Sequence, residues 1–150
     1  MMDADLSHDP AYIPEMLRVI DQCDVVIGSR YTKGGSVAGW EAWRRALSRA
    51  GNLYIRAITR MPFRDCTSGF IMIRADRLAR LDLSGVDSSG YAFLMELKHV
   101  LWRSGARIRE VPIIFRNRAG GESKLSGHIV REGFTAPWKV RARRPRLSGT

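Results

Sequence analysis

The run DVVIGSR (24–30) sets the strongest limit on what this chain can fold into. It is short, apolar and β-branched, and it ends in Gly and Ser, the pattern of a strand buried inside a parallel sheet. Helical signals stand on both sides of it. In SHDPAYIPEMLRVIDQC, Asp9 is a candidate cap with Pro10 at the first helical position, Ile13, Leu17 and Ile20 recur at helical spacing, and Pro14 kinks or restarts the helix. After a polar Gly loop, YTKGGSVAG, the residues Trp40, Trp43, Leu47, Ala50, Tyr54, Ile58 and Met61 repeat at three and four, which predicts a long amphipathic helix stopping at Pro62.

The alternation continues. GFIMIR reads as a strand, ADRLARLD as a short helix, YAFLMELKHVLWRSG as a longer helix ended by Gly105, and RIREVPIIFRNR as one further strand. A Gly-containing loop, AGGESKLSG, leads to a last helical stretch around HIVREGFTAPWKV and a basic tail. Strands alternating with helices predict an α/β layer structure with a largely parallel sheet.

Composition narrows the function classes. The 150 residues are 45% hydrophobic and 27% charged, enough for one globular core. With 25 Lys and Arg against 15 Asp and Glu, the net charge of +10 favours anionic partners. Nucleic acid is the weakest of these, because aromatic and basic residues do not interleave on a recognisable RNA-binding or helix-turn-helix pattern. Cys23 and Cys66 fit neither a zinc spacing nor a disulfide framework and read as reduced, structural thiols of a cytosolic protein. No apolar run approaches the roughly 20 residues of a membrane span, so the described pattern suits a surface that lies on a membrane rather than one that crosses it.

Two carboxylates stand one residue apart in MMDADLSHDP. In an extended segment Asp3 and Asp5 face the same side and can approach one ion, and hard oxygen donors of this kind suit Mg²⁺ or Mn²⁺ bridging to nucleotide phosphates. Two solvated acids are the plain alternative.

The segments DADLSHDP with YIPEML, then VVIGSRY, GGSVAGW, RDCTSGF, GYAF and VPIIFRNRAGGESKLS, taken in that order, resemble the dolichol-phosphate or polyprenol-phosphate mannosyltransferases, a branch of the family-2 glycosyltransferases. The resemblance implies a GT-A, Rossmann-like α/β fold. In that family, strands holding the guanine and ribose precede the aspartate motif; they are missing from these residues. The chain therefore resembles a C-terminal portion of such an enzyme: a catalytic-domain part over 1–140 and a basic, disordered tail over 141–150. Expressed alone, that portion is expected to be poorly stable and catalytically silent.

By resemblance, Asp3, Ala4 and Asp5 would contact the sugar nucleotide, with Asp5 the leading metal ligand, Asp3 beside it, and Ser7 either a further ligand or a helix cap. Arg30 would reach nucleotide or acceptor phosphates, for which a guanidinium fork is well shaped. Arg44, Arg45 and Ser48 would lie near the acceptor phosphate. Arg118 and Lys124 would close onto substrate phosphates from a loop hinged at Gly120 and Gly121. There the sequence departs from the family, with Asn117 and the Ala119-Gly120-Gly121 run in place of Asp and a single Gly. Asp65 would either assist the acceptor or tie its own loop beside Thr67 and Ser68.

The activity so implied is inverting transfer of mannose from GDP-mannose to a polyprenyl phosphate with Mg²⁺ or Mn²⁺. Glucosyl transfer to the same lipid and a silent fragment are the alternatives. On the long helix, Leu47 and Ile58 are expected in the core, with Trp40, Trp43 and the surrounding arginines at an anionic membrane. The expected location is peripheral, at the cytoplasmic face, with a separate membrane-anchoring or acyltransferase partner.

Overall fold

Strand β1 (Val25–Ser29) is buried along its whole length. Its side chains alternate between two cores: Val25 and Ile27 enter one apolar cluster and Val26 the other. The structure is a computed structural model that describes residues 1–81, 90–116 and 127–142, with the side chains of 90–91 and 127–132 outside the description.

Two strands flank β1. Strand β4 (Ile108–Pro112) runs parallel to it, from Val25 opposite Ile108 to Ser29 opposite Pro112. Strand β3 (Ile71–Ile73) runs antiparallel, with Val25 opposite Ile73. The sheet is therefore mixed rather than largely parallel, and its order is β3-β1-β4. The cause is where the chain re-enters: it comes back at the end of β1 it had left, where Gly28 N donates to Phe70 O at 2.8 Å.

On one face lies helix α1 (Ile13–Ile20), entered through a 3₁₀ turn (Pro10–Tyr12) whose Ala11 N–H is capped by the Asp9 carboxylate at 2.9 Å. Pro14 falls in its first turn, where a missing N–H costs nothing. Met16 carries the contact, buried with Val26, Phe70, Val111 and Ile113. The other face is covered by α2 (Ala42–Thr59), α4 (Gly90–Arg103) and α5 (Gly127–Ala142), which bury Ile55, Met95, Leu101 and Val140 against Val25, Ile27 and Ile71. Short helix α3 (Ala75–Ala79) follows β3. Helix α5 runs two residues past position 140; the remainder of the basic tail lies outside the described residues.

Three expectations need correction. The stretch 107–118 is not one strand: β5 (Ile114–Phe115) leaves the sheet and pairs in parallel with β2 (Ser36–Val37). Pro112 has no N–H for the ladder, and Ile113 turns inward, its N–H donating to Ser29 O at 3.0 Å. Gly35 makes the second pairing feasible, since a Cβ there would overlap the Ser29 carbonyl oxygen. Leu47 is not in the core; it is 54% exposed, whereas Ile58 is buried as expected. Helix α2 meets α5 only along its second half, where Tyr54 OH donates to Phe134 O at 2.9 Å and Arg141 donates to Ile58 O at 2.8 Å. In its first half Trp43 and Leu47 are exposed. The helix ends at Thr59, two residues before the expected Met61, because Arg60 takes the left-handed conformation (φ 60°).

Both cysteines are free and buried. Burial pushes the Cys66 thiol up to about 12, so it stays protonated and inert.

Candidate active site

Arg30 follows directly on β1, at the carboxyl end of the parallel β1–β4 pair, where α/β sheets place their ligands. Its side chain is buried against Asp65: Nε donates to Oδ2 and Nη2 to Oδ1, both at 2.8 Å, while its backbone N–H donates to Oδ2 at 2.9 Å. Nη2 also donates to Thr67 Oγ1 at 2.8 Å. Burial alone would raise the Asp65 pKa, but the Arg30 charge and hydrogen bonds outweigh it and hold the carboxyl below the ordinary aspartate range. Both Asp65 oxygens are thus committed to Arg30. The carboxylate therefore ties Arg30 rather than the backbone of its own loop.

The turn 64–68 that carries Asp65 is held from three further sides. Lys98 of α4, fully buried, donates to the carbonyls of Asp65 (3.4 Å), Cys66 (3.1 Å) and Ser68 (2.6 Å). Burial lowers its pKa to about 8 despite the neighbouring Asp65. Glu110 of β4 accepts from Arg64 N (2.9 Å) and Asp65 N (3.0 Å), and Asn52 of α2 accepts from Cys66 N at 2.9 Å. Sequence reading missed all three. For Lys98 a signal existed: Met95, Lys98 and Leu101 fall on one buried face of α4, and a lysine on such a face requires acceptors.

The opening segment lies beside this cluster. Ile71 N donates to Met1 O at 3.0 Å and Arg116 N to Ser7 O at 3.1 Å, which pins the segment at both ends. Leu6 turns it with φ at 62°. Asp3 is half exposed at 48%, and its carboxylate rests on Gly69, where a Cβ would come within 3.0 Å of it. The DADL and RDCTSGF stretches therefore meet through a glycine. Asp5 Oδ1 accepts from Ser7 N at 3.1 Å and from Ser7 Oγ. Ser7 is buried and serves Asp5; the cap of the following turn is Asp9, which corrects the cap expectation for Ser7. Ala4 is exposed.

His8 joins the two halves. Its ring lies 5.2 Å from those of both Phe70 and Phe115, and Phe115 also receives the Trp40 ring at 5.8 Å and the Arg30 guanidinium at 5.5 Å. Burial lowers the His8 pKa; the charges bearing on it are those of Asp3, Arg30, Asp5 and Asp65. Of the predicted site residues, Asp3 lies directly beside this imidazole, its Oδ2 3.7 Å from Nδ1.

Arg44, Arg45 and Ser48 attach to this cluster through Trp40 and Tyr31, which lie against Phe115 and Arg30. Arg44 stacks on Trp40 at 4.4 Å, and Arg45 donates to Trp40 O at 2.9 Å. Ser48 shares a hydrogen bond of 2.6 Å with the Tyr31 hydroxyl. Arg118 and Lys124 lie outside the described residues. Among the described residues no three His, Cys, Asp or Glu side chains gather into a metal centre. The donor set of Asp3 and Asp5 nonetheless fits Mg²⁺ or Mn²⁺, which commonly take one or two carboxylates and complete their shell with water and substrate phosphates.

Residues 1–81 match the model of glycosyl transferase family 2. An undecaprenyl-phosphate mannosyltransferase of Micrococcus luteus is 42% identical over 95% of this chain and 62% of its own length. A polyprenol monophosphomannose synthase of Mycolicibacterium smegmatis is 41% identical over 99% of this chain and 57% of its own. The chain thus spans about three fifths of the length of these curated relatives.

Proposed function

We propose, for a chain that belongs to glycosyl transferase family 2, that the protein carrying it transfers mannose from GDP-mannose to a polyprenyl phosphate with inversion at the sugar. The mixed α/β layers are the GT-A fold of that family. The observation that carries the reading is the 42% identity to an undecaprenyl-phosphate mannosyltransferase across nearly the whole chain. Asp3 beside His8 and the buried Arg30–Asp65 pair at the end of β1 support the reading.

A polyprenyl phosphate is already an anion near neutral pH, since its second pKa is about 6, and it needs no strong base to attack the anomeric carbon. Asp65, ionised and saturated by Arg30, acts as a positioning residue: it fixes the arginine at the end of β1. Asp5, with Asp3 beside it, would hold Mg²⁺ or Mn²⁺, which supplies charge neutralisation to the leaving diphosphate. Ser7 orients Asp5. One displacement from the far face of the sugar gives inversion.

The lipid acceptor requires an approach to the membrane. No helix among the described residues is long and apolar enough to cross one. Trp43, Leu47 and Leu53 of α2 and Phe134 and Trp138 of α5 are exposed, with arginines around them, and this surface would seat at an anionic interface.

The test uses the full-length protein, labelled GDP-mannose, a polyprenyl phosphate and Mn²⁺. A lipid-soluble labelled product is expected, abolished by EDTA and reduced at least about a hundredfold by Asp5→Ala, the scale of a lost electrostatic group. Product formation from a glucose donor but not GDP-mannose, or an Asp5→Ala enzyme as active as the parent, would overturn the donor or the metal assignment respectively.

A further inference from the structure

Residues 114–116 leave the sheet after Pro112, and each makes a backbone bond to a different part of the site's surroundings. Ile114 N donates to the Tyr12 hydroxyl at 3.0 Å, beside the entry to α1. Phe115 O accepts from Ala38 N at 2.8 Å, in the stretch leading to α2, and Arg116 N donates to Ser7 O at 3.1 Å, in the aspartate segment. The Phe115 ring repeats the pattern. His8 and Trp40 meet it in T-shaped contacts at 5.2 and 5.8 Å, and the Arg30 guanidinium lies 5.5 Å from its centroid. His8 carries the contact on to Asp3, and Trp40 carries it to Arg44. Phe115 is half-buried and belongs to neither apolar cluster of the core; the aromatic and cationic partners of its ring belong to the site.

We infer that Phe115 is a positioning residue of the mannosyl transfer proposed above, an inference that rests on that reading: its ring fixes the aspartate segment, Arg30 and the start of α2 relative to one another without touching substrate. Ring contacts of this kind are directional. T-shaped pairs and a cation near a ring draw on the quadrupole of the π system, so an aliphatic side chain of similar volume fills the space but does not set the angles. Group transfer is sensitive to such settings, since displacing a reacting group by about 1 Å can cost about a hundredfold in rate. Because Phe115 lies outside both core clusters, losing its ring should disturb the site more than the fold.

The test compares Phe115→Leu with Phe115→Tyr in the full-length protein; Phe115→Met, which also lacks the ring, replaces the first if it fails to fold. Amide hydrogen exchange followed by mass spectrometry should be faster over residues 1–8 and 36–40 in Phe115→Leu, unchanged over α4, and parental throughout in Phe115→Tyr. In the transfer assay, kcat should fall about tenfold or more in Phe115→Leu with both KM values within about twofold, and Phe115→Tyr should recover most of it. Parental exchange in Phe115→Leu overturns the tie, whatever transfer shows. A raised KM with kcat intact makes Phe115 a substrate contact, and equal losses in the Leu and Tyr variants reduce it to a filler of space; either overturns the positioning role. If the parent transfers no mannose, the proposed function falls, and exchange alone decides the tie.

Discussion

Arg30 and Asp65 are each more than nine-tenths buried, so their worth lies in being together. Asp65→Asn would leave the guanidinium in the interior without a counter-charge, and such removals cost about 3–5 kcal/mol. Urea unfolding should show a loss of that size; a change below about 1 kcal/mol would mean water already reaches the pair. His99 supplies a pH dependence of known sign. Burial, with Arg103 adding to it, lowers its pKa to about 4, so between pH 6.5 and 4 the unfolded chain takes up the proton first. Its stabilising contribution is complete above about pH 6.5 and is lost as pH falls toward 4, by at most about 3 kcal/mol. In His99→Phe, which keeps a ring against Trp102, the unfolding midpoint should fall less steeply over that window than in the parent.

Among the elements, α2 divides into a packed half and a projecting half. Ile58→Ala should cost about 2–5 kcal/mol, because it empties a buried site, whereas Leu47→Ala should stay within about 0.5 kcal/mol. Thermal melts of the two variants check this, and equal losses would mean that Leu47 packs after all. The periodicity of α2 was legible because one face recurs at three and four. Where the tertiary contact ends along the helix was not, since that depends on α5, a segment some eighty residues away. The break between β4 and β5 had a local sign in Pro112, but the partner that draws Ile114 and Phe115 aside is β2, and pairing register is not written in either segment alone. The same limit applies to the site. Asp3, Asp5, Arg30 and Asp65 were legible as motif residues, while Glu110 and Asn52 act through backbone amides of a distant turn, and nothing near them in sequence announces it.

On the scale of the whole molecule, the charge of +10 acts together with the exposed aromatic and aliphatic residues of α2 and α5. If the proposed membrane contact holds, its electrostatic part decays with screening, since the Debye length shortens from about 10 Å at 0.1 M to about 3 Å at 1 M salt. Each basic residue near an anionic surface contributes about 1 kcal/mol, so co-sedimentation with phosphatidylglycerol vesicles should weaken more than tenfold across that range. Binding that salt leaves untouched would assign the contact to the apolar residues alone. The lysine bolted to three carbonyls has a different consequence. To let the 64–68 turn swing open, Lys98 must give up three carbonyl acceptors, either shedding its proton in the interior or being drawn out along with α4. Opening of the segment that fixes Arg30 is thereby coupled to α4 and to the protonation of one amine.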